Sequence, residues 1–275
     1  MYTMTEKEFL ACSRKGNLVP VCREIYGDLE TPVAAYMKFT GGAEYSFLLE
    51  SIEGGEKLAR YSFIARDPEL VLKTRGRDAE VVRFNGKKKS VEKRTFDHSP
   101  LSLVRELISK YKFVNISGLP LFCGGLVGYL SYDTVRFFEK LPDNTKDDLG
   151  LADIVLALTK DIVIFDHLHH TIKVVVCVDV DPKDPVALRA EKFRRAMKKI
   201  DRMIAKLRSS IPAEKKAVSR KPAVRKVRSN CTKSQFKQMV VDAKKDITAG
   251  EIIQVVLSQR FEVEVKTTPI QIYRT

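Results

Sequence analysis

Hydrophobic and polar positions change period several times along the 275-residue chain. Ala43 to Ser51 (AEYSFLLES), Tyr61 to Ala65, Leu70 to Thr74, Ala79 to Asn85, Ala152 to Phe165 and Thr171 to Asp179 are rich in β-branched, aromatic and leucine residues. Turn formers bound each run, so the pattern predicts strands. Ser99 to Tyr111 opens with Ser-Pro and repeats leucine at Leu103 and Leu107, which predicts a helix capped by Ser99. From Pro185 to Leu207, Phe193, Met197, Ile200, Ile204 and Leu207 recur at helical spacing and predict an amphipathic helix with a cationic outer face. Thr232-Lys-Ser-Gln235 has the spacing of a capping box, and predicts a helix with Phe236, Met239, Val240 and Ile247 inward and Gly250 as its left-handed stop. IIQVVLSQRFEVEV then begins a strand, whose inner face needs more protein or an earlier sheet to cover it. Strands that do not alternate with helices predict antiparallel pairing, in an α+β domain.

Apolar residues make up 44% of the chain, enough for a sizeable core. No run approaches the roughly 18 apolar residues of a membrane span. MYTMTEKEF lacks the layout of a signal peptide, so a cytoplasmic location is expected. Five well-separated cysteines, Cys12, Cys22, Cys123, Cys177 and Cys231, form no CxxC pair and read as buried, reduced thiols. The net charge is +14, but Ala187 to Arg228 holds 16 Lys and Arg against three acids, which concentrates about +13 in one stretch. Its second part, IPAEKKAVSRKPAVRKVRS, has the composition of a solvated linker. With no aromatic residue among the charges of this second part to stack on bases, nucleic-acid binding is not expected.

Three segments offer chemistry. In DHLHH, Asp166 to His170, a histidine cluster invites a metal, but its place between two apolar strands favours a polar hairpin turn. CGGLVGYLSYD, Cys123 to Asp133, meets neither phosphate-loop spacing, and its glycines fit a closely packed strand better. FLLESIEGGEKLARYSFIA, Phe47 to Ala65, carries Glu50 and Ser51 at the end of one strand and Arg60 at the start of the next. At the mouth of a hairpin, Glu50 would take an ammonium while Ser51 and Arg60 take a carboxylate, although charged residues at strand ends usually just face water.

FLLESIEGGEKLARYSFIARDP, CGGLVGYLSYDTVRFFEKLPD and GEIIQVVLSQRF, in this order, resemble the large subunit of anthranilate synthase, component I, over nearly the whole chain. The resemblance implies a chorismate-using enzyme of tryptophan synthesis that adds ammonia with Mg²⁺ bound and eliminates pyruvate. It implies a glutamine amidotransferase partner subunit that supplies the ammonia, and tryptophan as a feedback inhibitor. Residue by residue, Leu49, Glu50 and Ser51 match the inhibitor-binding motif and Arg60 falls near a basic residue of that pocket. Gln254 matches a chorismate-site position where water-adding members of the superfamily carry a lysine base, and a glutamine there fits the ammonia-using branch.

The resemblance divides the chain into a regulatory domain over 1–183, a basic helix and linker over 184–229, and the start of a chorismate-binding α/β sandwich domain over 230–275. The histidine, the Mg²⁺-holding glutamates, the Pro-Ile-Ala-Gly-Thr segment and the Asn-Pro-Ser-Pro-Tyr-Met half of the tryptophan pocket have no counterpart here. The expectation is an N-terminal half, inactive alone and without a metal site of its own. Aminodeoxychorismate synthase component I is the alternative enzyme, and a non-catalytic module that senses tryptophan or docks a partner is the alternative class.

Overall fold

The computed structural model describes residues 2–51, 60–86, 88–97, 99–212 and 226–275. The basic stretch 213–225 and residues 52–59 therefore lie outside the described residues. Two compact units divide the chain, Met1–Ala213 and Glu214–Thr275.

The first unit is built on two five-stranded sheets. One contains β1 (Leu18–Tyr26), β2 (Ser46–Leu49), β3 (Tyr61–Arg66), β9 (Asp161–Asp166) and β10 (Thr171–Asp179) in the order β1-β10-β9-β3-β2. The other contains β4 (Leu70–Arg75), β5 (Asp78–Asn85), β6 (Lys88–Thr95), β7 (Gly125–Leu130) and β8 (Ile154–Thr159) in the order β6-β5-β4-β8-β7. Every pairing within them is antiparallel, as expected for an α+β chain. Helices α1 (Glu6–Cys12), α2 (Pro32–Thr40), α3 (Pro100–Ser109) and α4 (Val186–Leu207) flank the sheets.

The first sheet is apolar on both faces, which explains the unbroken hydrophobic runs of β9 and β10. Val174, Val176 and Phe165 join Phe193, Ile200 and Leu207 of α4 in one core. Ile162, Ile164, Val175 and Cys177 line the other face with Cys22 and Cys123. Each large side chain so enclosed contributes roughly 1.5–3 kcal/mol. The amphipathic helix read from its 3.6 period thus packs inside the first unit, while its cationic face is substantially paired. Arg194 meets Glu6 at 3.3 Å, Lys192 meets Asp184 at 2.7 Å, and Lys199 and Arg23 pair with Asp161 and Asp201.

Several elements differ from expectation. Ala152 to Phe165 is two strands rather than one, broken at Lys160, whose ammonium pairs with Glu69 and Asp179. Strand β1 was hidden by Pro20, which its position at the sheet edge tolerates. Strand β6 carries the lysine-rich sequence KKSVEKRT of an exposed edge, with no apolar face to betray it. The close packing inferred at CGGLVGYLSYD holds at Gly128 in β7, where a Cβ would lie 1.8 Å from the Val155 carbonyl oxygen. Of the five cysteines, Cys22, Cys123 and Cys177 are buried, whereas Cys12 and Cys231 are half-buried.

In the second unit, α5 (Lys233–Ala249) begins with the expected capping box, the Gln235 amide donating to Thr232 Oγ1 at 3.3 Å. It ends at Gly250 with φ +80°. Its apolar stripe is not enclosed, since no residue of α5 is buried and Ile247 is 44% exposed. The strand expected over IIQVVLSQRFEVEV is corrected to a two-residue β12 (Phe261–Glu262), which pairs with β11 (Arg228–Ser229). Ile253 is 98% exposed. A strand with neither ladder partner nor covering layer gains nothing from extension, so the run stays irregular. The short helix α6 (Pro269–Arg274) follows.

Candidate functional site

The Leu49-Glu50-Ser51 motif sits where β2 leaves its pairing with β3. Leu49 is opposite Phe63 and exposed, and Glu50 is half-buried. Ser51 is tied down twice. Its amide donates to Ser62 Oγ at 3.1 Å and its hydroxyl donates to the Tyr61 carbonyl at 2.9 Å. With its proton used on that carbonyl, the Ser51 hydroxyl presents lone pairs outward and suits a cationic donor, which corrects the expectation that it takes a carboxylate.

Arg60 stands across the hairpin mouth, and its guanidinium is gripped by Asp166. Nε donates to Oδ1 at 3.1 Å and Nη2 to Oδ2 at 2.9 Å, a fork-to-fork pair. Nη2 also lies 3.0 Å from His169 Nδ1, and the guanidinium stacks over the Tyr61 ring at 4.8 Å. Two of its three nitrogens are therefore committed within the protein. The Asp166 side chain is fully enclosed. Burial opposes its ionisation, but the hydrogen bonds from Arg60 and His169 and the nearby Lys173 charge hold it well below the usual carboxylate range.

The network continues inward. Lys173 Nζ reaches Asp166 at 3.5 Å and Glu24 at 2.6 Å, and Thr171 donates to the same Glu24 oxygen at 2.8 Å. Burial raises the Glu24 pKa, yet the bonds from Lys173, Thr171 and the Tyr2 amide outweigh it and bring the group down to about 2. Beside this charged chain runs a second one, in which Ser62 Oγ lies 2.7 Å from His167 Nε2.

Sequence reasoning singled out the rim and read Asp166 and His167 as part of a polar turn, but it did not name Ser62, Lys173 or Glu24, nor the supporting role of all five. The signal was present. A lone Ser in YSFIA and a lone Lys in TIKVVVC interrupt otherwise largely apolar runs, and a polar group buried there needs a partner. The DHLHH segment is the β9–β10 hairpin turn, with His170 in the left-handed region at φ +52°. Among the described residues no group of three or more His, Cys, Asp or Glu is placed to hold a metal ion. Gln254 lies in the second unit, exposed in the irregular segment after α5.

The profile of the chorismate binding enzyme family matches residues 46–275. The chain is 36% identical to anthranilate synthase component 1 of Acetivibrio thermocellus over 276 residues, 100% of this chain and 54% of that protein. It is 37% identical to the component 1 of Aquifex aeolicus over 271 residues, 98% of this chain and 52% of that one. Among solved structures, it resembles anthranilate synthase component I from Streptococcus pneumoniae TIGR4 with a TM-score of 0.57 and 27% identity, over 92% of this chain and 51% of the other. The chain spans about half the length of the curated relatives it matches. Because the family match starts at Ser46, the first residue of the strand that carries the rim, and runs through both units, the chain belongs to the chorismate binding enzymes.

Proposed function

We propose that this chain forms the tryptophan-sensing part of an anthranilate synthase component 1, a cytoplasmic enzyme that converts chorismate and ammonia into anthranilate, pyruvate and water. The observation that carries this reading is the similarity of this whole chain to about half of component 1 proteins, with the Leu49-Glu50-Ser51 rim inside the matched region. In this reading, residues 1–183 and the helix packed on them are regulatory, and the chorismate-binding domain begins near 230. The Glu50 carboxylate and the Ser51 lone pairs receive the ammonium of tryptophan, Arg60 draws its carboxylate, and Leu49 lies against the indole. Gln254 belongs to the chorismate site, where an amide, unlike a lysine, cannot activate water as a base. Ammonia comes from a glutamine amidotransferase partner. Mg²⁺ belongs to the proposed reaction, but the described residues offer no group of three or more His, Cys, Asp or Glu placed to hold it.

The test is steady-state formation of anthranilate by a complete component 1 enzyme carrying this chain, titrated with tryptophan. Ser51→Ala removes a bond to a charged group, worth roughly 1.5–3 kcal/mol, so inhibition weakens about ten- to a hundred-fold while turnover without inhibitor stays unchanged. An unaltered inhibition constant, or a large loss of turnover, refutes the assignment.

A further inference from the structure

We infer that the consecutive residues Asp166 and His167 are positioning residues for the rim, and that His167 governs inhibitor affinity by holding Ser51 through Ser62. The inference deepens the tryptophan-sensing reading and rests on it. Asp166 is the last residue of β9 and His167 the first of the turn. Neighbouring residues at a strand end project to opposite faces, so one dipeptide serves two layers. On one face Asp166 clamps Arg60. On the other, His167 stacks on Phe165 with ring centroids 6.3 Å apart and meets Ser62 at 2.7 Å. The His167 amide also donates to the Arg60 carbonyl at 2.9 Å. The two grips fall on Arg60 and Ser62, the residues on either side of Tyr61, whose carbonyl accepts the Ser51 hydroxyl.

The direction of the chain through Ser62 follows from counting protons. Ser62 is completely buried and its hydroxyl has a single hydrogen. Ser62 Oγ already accepts the Ser51 amide, and His167 Nε2 is the acceptor within reach for its own proton. The chain therefore runs from Ser51 N–H to Ser62 O–H to the Nε2 lone pair, with the imidazole proton on Nδ1. This polarity fixes the Ser51 backbone, and with it the direction of the hydroxyl that faces the ligand. Removing the acceptor leaves an unsatisfied buried hydroxyl, which is relieved when Ser62 turns away and releases Ser51.

Two readouts test this. In the 275-residue chain, amide hydrogen exchange at Ser51 is compared among wild type, Ser62→Ala, His167→Phe and His167→Gln. In the complete enzyme, the same variants are titrated with tryptophan. Ser62→Ala and His167→Phe are expected to speed Ser51 exchange roughly fivefold and to weaken inhibition by a similar factor, with unchanged turnover. His167→Gln, whose side-chain oxygen can stand near the Nε2 position, restores both. Ser51 exchange that is unchanged in Ser62→Ala and His167→Phe overturns the positioning role, whatever the kinetics show. Faster exchange with an unchanged inhibition constant shows that Ser51 is held as described but overturns the rim as sensor, and the inference with it. Turnover that falls in step with inhibition reduces the pair to general structural support and overturns the inference.

Discussion

Asp166→Ala is the sharpest probe of what holds the rim. The carboxylate is completely enclosed and is shared by Arg60, His169 and Lys173. Removing one member of a buried ion cluster costs about 3–5 kcal/mol, because charges stay behind without a partner. Two features place this site at the lower end. Lys173 keeps Glu24 at 2.6 Å, and the Arg60 side chain, 31% exposed, can turn to water. A loss of about 3 kcal/mol lowers the melting temperature of a domain of this size by roughly 6–12 °C. The chain has nine tyrosines and no tryptophan, so urea unfolding is followed by tyrosine fluorescence and circular dichroism. The pH dependence supplies an independent check. The Asp166 pKa is lower in the folded state than the usual unfolded value near 3.9. The unfolded chain therefore binds the extra proton, and the stabilisation is complete above about pH 4 and is lost as pH falls through the folded value. The gap between wild type and variant should stay constant at neutral pH and narrow below about pH 4. A loss under about 1 kcal/mol, the range of a surface pair, or a gap that persists undiminished into strong acid, would refute the ionised-clamp account.

Other outcomes follow from packing and burial. Gly128→Ala places a methyl 1.8 Å from the Val155 carbonyl oxygen, so β7 must separate from β8. A loss of at least about 2 kcal/mol is expected by thermal unfolding, and a neutral result would show that the strands sit farther apart. Burial pushes the Cys22 and Cys123 thiols up to about 12 and raises Cys177 as well. With a thiol-exchange reagent at pH 8, Cys12 and Cys231 should react first and the other three only on unfolding. Rapid reaction of a third thiol in the native chain would contradict the buried cluster.

Strong local signals carried most of the fold. The strands of the first sheet's interior were legible because both faces are covered, and the capping box at Thr232 because its chemistry is local. Helix α1 has an equally complete box at Thr5 and Glu8, but only seven residues follow it, too few to show a period. Strands β1 and β6 escaped for opposite reasons, a proline in one and a charged edge in the other. The end of the chain misled because Ile and Val content signals β propensity, and that propensity is realised by a neighbouring strand rather than by the segment itself. At the site, Glu50, Ser51 and Arg60 were visible as charged and hydroxyl groups at strand ends. Their pairing with the supports was not, because Asp166 and Lys173 lie more than 100 residues from Arg60 and antiparallel register alone brings them together.

The location of L-tryptophan, by crystallography of a complete component 1 enzyme carrying this chain, tests the central claim most directly. The account predicts the ligand's amino group within hydrogen-bonding distance, about 3 Å, of the Glu50 carboxylate or the Ser51 hydroxyl, with Arg60 still clamped by Asp166. Tryptophan bound elsewhere, with the rim residues making no contact to it, would contradict the account.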